Sequence, residues 1–243
     1  MSRFGERRLL KLALLREEVC EANLELVRRG LVIESFGNAS GVDREQGLVV
    51  IKPSGIDYQR LTPSSLVITA LDGRIVDGDL RPSSDLPTHL ALYRAFPNIG
   101  GVTHTHSFFA TVWAQAGLEL PCLGTTHADY FPGPIPITDR LKPEEIAGGY
   151  EANTGAAITR RFQQLDPDLI TAALVRSHGP FCWGPSAASA AHTSVIVEEL
   201  ARMACYTRAL RPDVPAIDDA LRDKHFFRKH GPSAYYGQPR SRD

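Results

Sequence analysis

The run Gly100-Gly101-Val102-Thr103-His104-Thr105-His106-Ser107 reads as a β-strand, because β-branched residues stand at 102, 103 and 105 behind two opening glycines. Side chains on a strand alternate faces, so His104 and His106 are expected to project to one side with Cα atoms roughly 6.5 Å apart. Two imidazoles so placed can lean onto one ion at about 2.0–2.1 Å, or they can form a satisfied polar patch. Whatever sheet this chain builds has to carry that pair.

The surrounding pattern predicts what kind of sheet it is. Leu12, Leu15, Val19, Ala22 and Leu26 recur at helical spacing between about Arg8 and Arg29, and Gly30 supplies a stop. Phe36–Asp43 and Leu48–Lys52 flank a turn at Arg44–Gly47, and Leu66–Thr69 and Arg74–Val76 flank Asp72-Gly73, so the early strands pair antiparallel. Pro82-Ser83-Ser84-Asp85-Leu86-Pro87 opens a helix that runs through Phe96 and stops at Pro97. Further helices are expected over Ser107–Ala116, Thr154–Leu165, Ser186–Leu210 and Ile217–Lys229, with a strand at Ala172–Arg176. Hairpins first and interleaved helices later predict an α/β three-layer sandwich, its central mixed, largely antiparallel sheet lying between helical layers. There is no G-x-G-x-x-G after the first strand and no G-x-x-x-x-G-K-[ST], which argues against a doubly wound nucleotide fold.

Length and charge narrow the class further. The 243 residues suit one domain, with residues 1–14 as an N-terminal extension and 239–243 as a polar tail. Lys and Arg number 27 against 28 Asp and Glu, so no global field favours nucleic acid or an anionic membrane, and an anionic substrate has to be held locally. No stretch approaches the ~18 apolar residues of a membrane span. The four cysteines, Cys20, Cys122, Cys182 and Cys205, form no C-x-x-C pair and read as reduced thiols of a cytoplasmic protein.

Several residues carry two readings. His178, in Ser177-His178-Gly179-Pro180, sits at the end of an apolar strand and is either a third imidazole ligand or a capping or core histidine. Three neutral imidazoles with an open position would suit catalytic zinc, and also manganese or cobalt. Asp85 is either the N-cap of its helix or a fourth ligand or base, with Ser83 and Ser84 presenting hydroxyls and backbone N–H groups to an anion. Gly37-Asn38 and Ser54-Gly55 are turn residues or phosphate-approaching donors, and Lys52 adds a cation. Asp129 stands in an uncharged stretch, where desolvation would raise its pKa toward acid/base use, or it is a hydrogen-bonded loop residue. Tyr235-Tyr236 is interface packing or a proton-exchanging phenol. His89, His192 and His230 read as structural, and Glu198 and Glu199 as a solvated or intersubunit helix face.

Taken together, Gly37-Asn38, Lys52-Pro53-Ser54-Gly55, Pro82-Ser83-Ser84-Asp85, Thr103–Ser107, Gly124–Phe131, Ser177–Phe181, Asp223-Lys224-His225, Lys229-His230-Gly231 and Ala234–Gln238 resemble the class II aldolase/adducin family. The likeness runs in the family's order from about Leu15 to Gln238. It implies a metal, typically zinc, held by His104, His106 and His178, with Asp85 where related aldolases have glutamate. It implies phosphate contacts from Gly37, Asn38, Ser54, Gly55, Ser83 and Ser84, and acid/base roles for Asp129 and Tyr236. The implied activity is interconversion of L-ribulose 5-phosphate and D-xylulose 5-phosphate by C3–C4 cleavage and re-addition. A sugar-phosphate aldolase is the nearest alternative, and retention of all three histidines counts against an adducin-like binding domain. The implied assembly is a cyclic homotetramer with sites between subunits, into which Tyr236, His225 and Arg228 would reach. The N-terminal extension, with Arg3, Arg7 and Arg8, and the tail depart from the family pattern.

Overall fold

A computed structural model describes residues 3–231 and 234–237, with side chains from Leu9 onward. The side chains of Arg3, Arg7 and Arg8, together with Gln238 and the tail beyond it, lie outside the described residues.

The elements in chain order are α1 (Arg3–Arg28), β1 (Asn38–Asp43), β2 (Leu48–Ile51), β3 (Val67–Ala70), β4 (Ile75–Asp77), α2 (Leu86–Ala95), β5 (Gly101–His104) and α3 (Phe108–Ala116). They continue with α4 (Thr125–Ala128), α5 (Pro143–Ala147), α6 (Tyr150–Arg161), β6 (Ala172–Val175), β7 (Gly179–Gly184), α7 (Ala187–Leu210) and α8 (Asp219–Phe227). The seven strands form one sheet in the order β4-β3-β2-β1-β5-β7-β6. Every ladder between these strands is antiparallel, and the parallel component of the expected mixed sheet is one isolated bridge between Ile137 and Leu174.

Both faces of the sheet are buried, and the sequence alternates accordingly. Val49 and Ile51 of β2, Ala173 and Val175 of β6 and Phe181 and Trp183 of β7 join one core with Leu90 and Tyr93 of α2 and Ile158 of α6. Their neighbours face the other way: Val50 packs with Val19 and Leu26 of α1, while Ala172, Leu174 and Cys182 pack with Trp113 of α3 and Val197 of α7. Fully burying one such aliphatic side chain stabilises by roughly 1.5–3 kcal/mol, so a one-residue register slip, which exchanges the two faces, is strongly disfavoured.

β7 is an interior strand with no counterpart among the elements expected from the sequence. Gly179 and Pro180 look like breakers, and proline is tolerated here because it lies one residue from the strand start, where its carbonyl rather than its missing N–H is used. Gly179 is required for a different reason: an added Cβ would lie 2.7 Å from the Thr105 carbonyl oxygen. Glu198 also differs from expectation. Its carboxylate accepts the N–H groups of Phe109 (2.9 Å) and Ala110 (3.0 Å), closing the start of α3 rather than facing solvent.

α2 and α6 are clamped side by side on one face. A Cβ on Gly155 would come within 2.6 Å of the Ala91 Cβ, and the Thr88 hydroxyl donates to the Glu151 carbonyl at 2.6 Å. Arg44 donates to the carbonyls of Phe96 (2.7 Å) and Ile99 (2.8 Å) just beyond the C-terminal end of α2, where a cation is favoured. The first residues of both helices are thereby fixed at the same end of the sheet.

Candidate active site: three imidazoles in one cleft

β5 ends at His104, one residue pair short of the expectation, and His106 follows in extended chain outside the ladder. The two rings meet nonetheless, with their Nε2 atoms 3.1 Å apart. His178 arrives from the β6–β7 turn, which Ser177 makes by adopting a left-handed φ of +62°, and its Nε2 lies 3.1 Å from that of His106. One ligand atom from each ring lies within 4.8 Å of the others, so the three can hold a metal ion.

The tautomers support that reading. The Nδ1 of His104 is 3.0 Å from the Pro180 carbonyl, which can only accept, so this nitrogen carries the proton and the Nε2 lone pair faces the other rings. Burial pushes the His104 and His178 pKa values down to about 3 and lowers that of His106, so the rings are neutral and ready to coordinate. Phe181 stacks on His104 at 4.2 Å and Phe36 on His106 at 5.8 Å, restricting both rings. His89, read as structural, is fully buried with Nδ1 2.7 Å from the Ser40 hydroxyl.

The histidines line a cleft of about 370 Å³ that also takes in Gly37, Asn38, Ser54, Gly55, Ser83, Ser84 and Asp85. All six expected substrate-contacting positions and all four expected ligands therefore share one space. Asp85 occupies the N-cap of α2 but makes no capping bond; its carboxylate accepts from Asn38 Nδ2 at 2.7 Å, and Ser83 Oγ takes the Asp85 N–H instead. The expectation that Ser83 and Ser84 offer backbone N–H groups needs correction at Ser83. Ser54 and Ser83 have theirs committed to the carbonyls of Arg81 and Lys52, at 2.9 Å each, leaving hydroxyls as their donors. Lys52 is 2% exposed, its ammonium 4.6 Å from the Tyr58 ring centroid, and burial lowers its pKa. Among the described residues it forms no salt bridge, and the Asp57 carboxylate offsets the effect of burial only in part, so the cleft presents a buried cation suited to an anion.

Tyr150 and Glu151 are among the cleft residues that the sequence does not single out. They open α6, which begins four residues before the expected Thr154 because Gly149, at a φ of +112°, turns the chain into it. The glycine pair 148–149 was the available signal.

Asp129 and Tyr236 are elsewhere: neither lines the cleft. Asp129 follows α4 and accepts from Arg228 at 2.7 and 3.0 Å and from His225 at 3.0 Å, with Lys229 at 3.3 Å. Desolvation pushes its pKa up, but these bonds outweigh it and hold the carboxyl below its ordinary value, opposite to the rise expected from its uncharged neighbours. Tyr236 stands beside the same cations, its ring centroid 4.9 Å from the Arg228 guanidinium and 4.5 Å from the Lys229 ammonium, and it is 61% exposed. His230 completes the cluster by donating Nε2–H to the Asp129 carbonyl at 3.0 Å.

A sheet carrying three converging imidazoles at one end fits the class II aldolase and adducin N-terminal domains, whose family pattern the sequence matches over residues 17–205; the chain belongs to this family. L-ribulose-5-phosphate 4-epimerase UlaF of Salmonella paratyphi A (strain ATCC 9150 / SARB42) is 52% identical to it over 224 residues, 92% of this chain and 98% of that protein. Among solved structures, an L-fuculose 1-phosphate aldolase is similar with a TM-score of 0.73 at 24% identity, covering 87% of this chain and 93% of that one. The L-fuculose 1-phosphate aldolase of Glaciozyma antarctica PI12 gives 0.74 at 17% identity, covering 92% and 84%. These two likenesses concern the fold alone.

Proposed function

We propose that this chain is an isomerase, a metal-dependent 4-epimerase interconverting L-ribulose 5-phosphate and D-xylulose 5-phosphate. The observation that carries the reading is the convergence of three neutral imidazoles beside Asp85 in a cleft that also holds a buried lysine and the serine hydroxyls. The identity to a named 4-epimerase across almost its whole length supports the substrate.

The chemistry follows from the sugar. The hydrogen on C4 of a ketopentose phosphate is not acidic, so direct deprotonation is a poor route to inversion. Removing the C4 hydroxyl proton instead lets the C3–C4 bond break, giving glycolaldehyde phosphate and a dihydroxyacetone-derived fragment. The aldehyde turns, C3 adds to its other face, and the new C4 oxygen takes up a proton. His104, His106, His178 and Asp85 would hold a divalent ion, which supplies Lewis-acid stabilisation of the oxyanion charge that appears as the bond breaks. Zinc is the proposed ion, with manganese and cobalt as alternatives that three nitrogens and a carboxylate also suit. Lys52, Ser54, Ser83 and Ser84, with Gly37, Asn38 and Gly55, would hold the phosphate; its charge answers the buried ammonium.

Asp129 and Tyr236 are proposed to handle the protons on the two faces of the aldehyde. Since both lie outside their own protomer's cleft, they would serve a neighbour's in a homotetramer with sites between subunits. The exposure of Tyr236 and of Phe108, 66% exposed on α3, supports such packing. No helix among the described residues is long and apolar enough to cross a membrane, and a cytoplasmic location is proposed with the assembly. No nucleic-acid partner is proposed for a chain of balanced charge.

Incubating the purified protein with L-ribulose 5-phosphate tests this. D-xylulose 5-phosphate is the expected product; steady accumulation of free dihydroxyacetone and glycolaldehyde phosphate would identify an aldolase and overturn the reading.

A further inference from the structure

Two of the three imidazoles have a hydrogen-bonding partner on the nitrogen that points away from the cluster. For His104 it is the Pro180 carbonyl, which admits one tautomer only. For His178 it is the Tyr150 hydroxyl, 3.0 Å from Nδ1, with the two rings 5.8 Å apart between centroids. A hydroxyl can donate or accept, so this partner does not dictate the tautomer by itself. The requirement at the other end of the ring decides it: Nε2 has to carry a lone pair to join the other two, so Nδ1 carries the proton and the phenol oxygen accepts it.

The tyrosine is held for this purpose by more than its own bond. It is the first residue of α6, entered through Gly149 in the left-handed region, and its carbonyl accepts from the Thr154 hydroxyl at 2.9 Å. The next residue is pinned to α2 through Thr88, and Asp85 is the N-cap of α2, so the phenol and that carboxylate are set by one rigid helix pair. The opposite side is less constrained: His178 sits on a tight turn behind a left-handed serine, with no ring stacked face to face on it among the described residues.

We infer that Tyr150 is a positioning residue for the metal site: its phenol oxygen accepts the His178 Nδ1–H that the cluster requires, fixing the ring angle that turns Nε2 toward His104 and His106. Because that bond uses an oxygen lone pair, the hydroxyl hydrogen of Tyr150 stays free for an acceptor in the cleft. The inference rests on the proposal that the three histidines bind a metal. Hydrogen-bond partners of this kind typically change metal affinity by about 10- to 100-fold when removed.

The test is a zinc competition titration against a chromophoric chelator, run on wild-type protein and Tyr150→Phe, with melting temperatures measured for each with and without zinc. The expected result is zinc binding weakened about 10- to 100-fold in Tyr150→Phe, an unchanged melting temperature without zinc and a smaller rise on adding it. Equal zinc affinity, or a fall in melting temperature as large without zinc as with it, would overturn the inference by leaving the phenol no role or a packing role. Absence of zinc binding by the wild type would instead sink the metal site, and the inference with it. Should Tyr150→Phe fail to fold, nitrogen-15 NMR of zinc-loaded wild type decides: a His178 Nδ1 proton protected from exchange with water is expected, and a ring bound through Nδ1 or a freely exchanging proton overturns the assignment.

Discussion

The histidine cleft and the Asp129 cluster solve opposite electrostatic problems. In the cleft, burial strips charge from three rings and leaves their lone pairs facing one another, an arrangement satisfied by adding a cation. Around Asp129, one carboxylate is surrounded by Arg228, Lys229 and His225, so its charge is already answered within the protomer. The first region is incomplete without a partner; the second has partners to give up. In the proposed homotetramer, Asp129 would have to loosen those ion pairs to exchange protons with a neighbour's substrate, whereas the cleft needs only to be filled.

Removing a ligand from the first region should have the largest effect. His104→Ala is expected to lower turnover at least about a thousandfold, since several kcal/mol of charge stabilisation are lost and each 1.4 kcal/mol is a factor of ten, while circular dichroism stays native. Unchanged activity would erase the distinction between the two regions. Asp129→Asn should cost about 10²- to 10⁴-fold in epimerisation, the usual contribution of general acid/base catalysis, with zinc content intact by elemental analysis. Loss of zinc in that variant would mean that the regions are one site.

Acid titration separates them without mutation. The folded pKa values of His104 and His178 fall to about 3 from an ordinary 6.5, so below pH 6.5 the unfolded chain takes up protons that the folded metal-free protein refuses. Their contribution to stability is whole above pH 6.5 and is lost as pH falls toward 3. Asp129 behaves differently: its depressed pKa gives a contribution present above 3.8 and lost only below it. Unfolding free energies of the metal-free protein, from urea titrations, should therefore decline below about pH 6.5 by a few kcal/mol in total. A flat profile to pH 4 would contradict the buried, neutral rings. The smallest effect concerns two aspartates at helix starts. Asp218 accepts from Ala220 N–H at 2.9 Å and caps α8, which carries His225 and leads directly into Arg228 and Lys229, so Asp218→Ala should cost about 1 kcal/mol by urea unfolding. Asp85→Asn should cost less stability, because Asp85 makes no cap bond, and should instead weaken zinc retention.

The sequence was most readable where contacts are local. Both hairpins, the proline-opened α2, Gly117 ending α3 and the long α7 follow from patterns within a few residues. The His104/His106 pair followed from strand periodicity even though the strand stops at His104, since extended chain beyond it keeps the alternation. What stayed hidden depends on distant partners. Asp129 has uncharged neighbours in sequence, and the cations that lower its pKa come from Arg228 and Lys229, about a hundred residues later. Glu198 looked like helix surface because nothing near it reveals that the start of α3 lies alongside. β7 was masked by Gly179-Pro180, whose value lies in what the backbone does there.

That backbone role has a practical consequence. The atom that sets the tautomer of His104 is a main-chain oxygen, the same one that receives the Thr105 N–H. No side-chain replacement at position 180 deletes it, so a directed-evolution library over this neighbourhood can vary the cleft wall freely while one coordinating ring keeps its orientation. Retuning the site by mutagenesis is therefore a matter of the other two rings and the residues behind them.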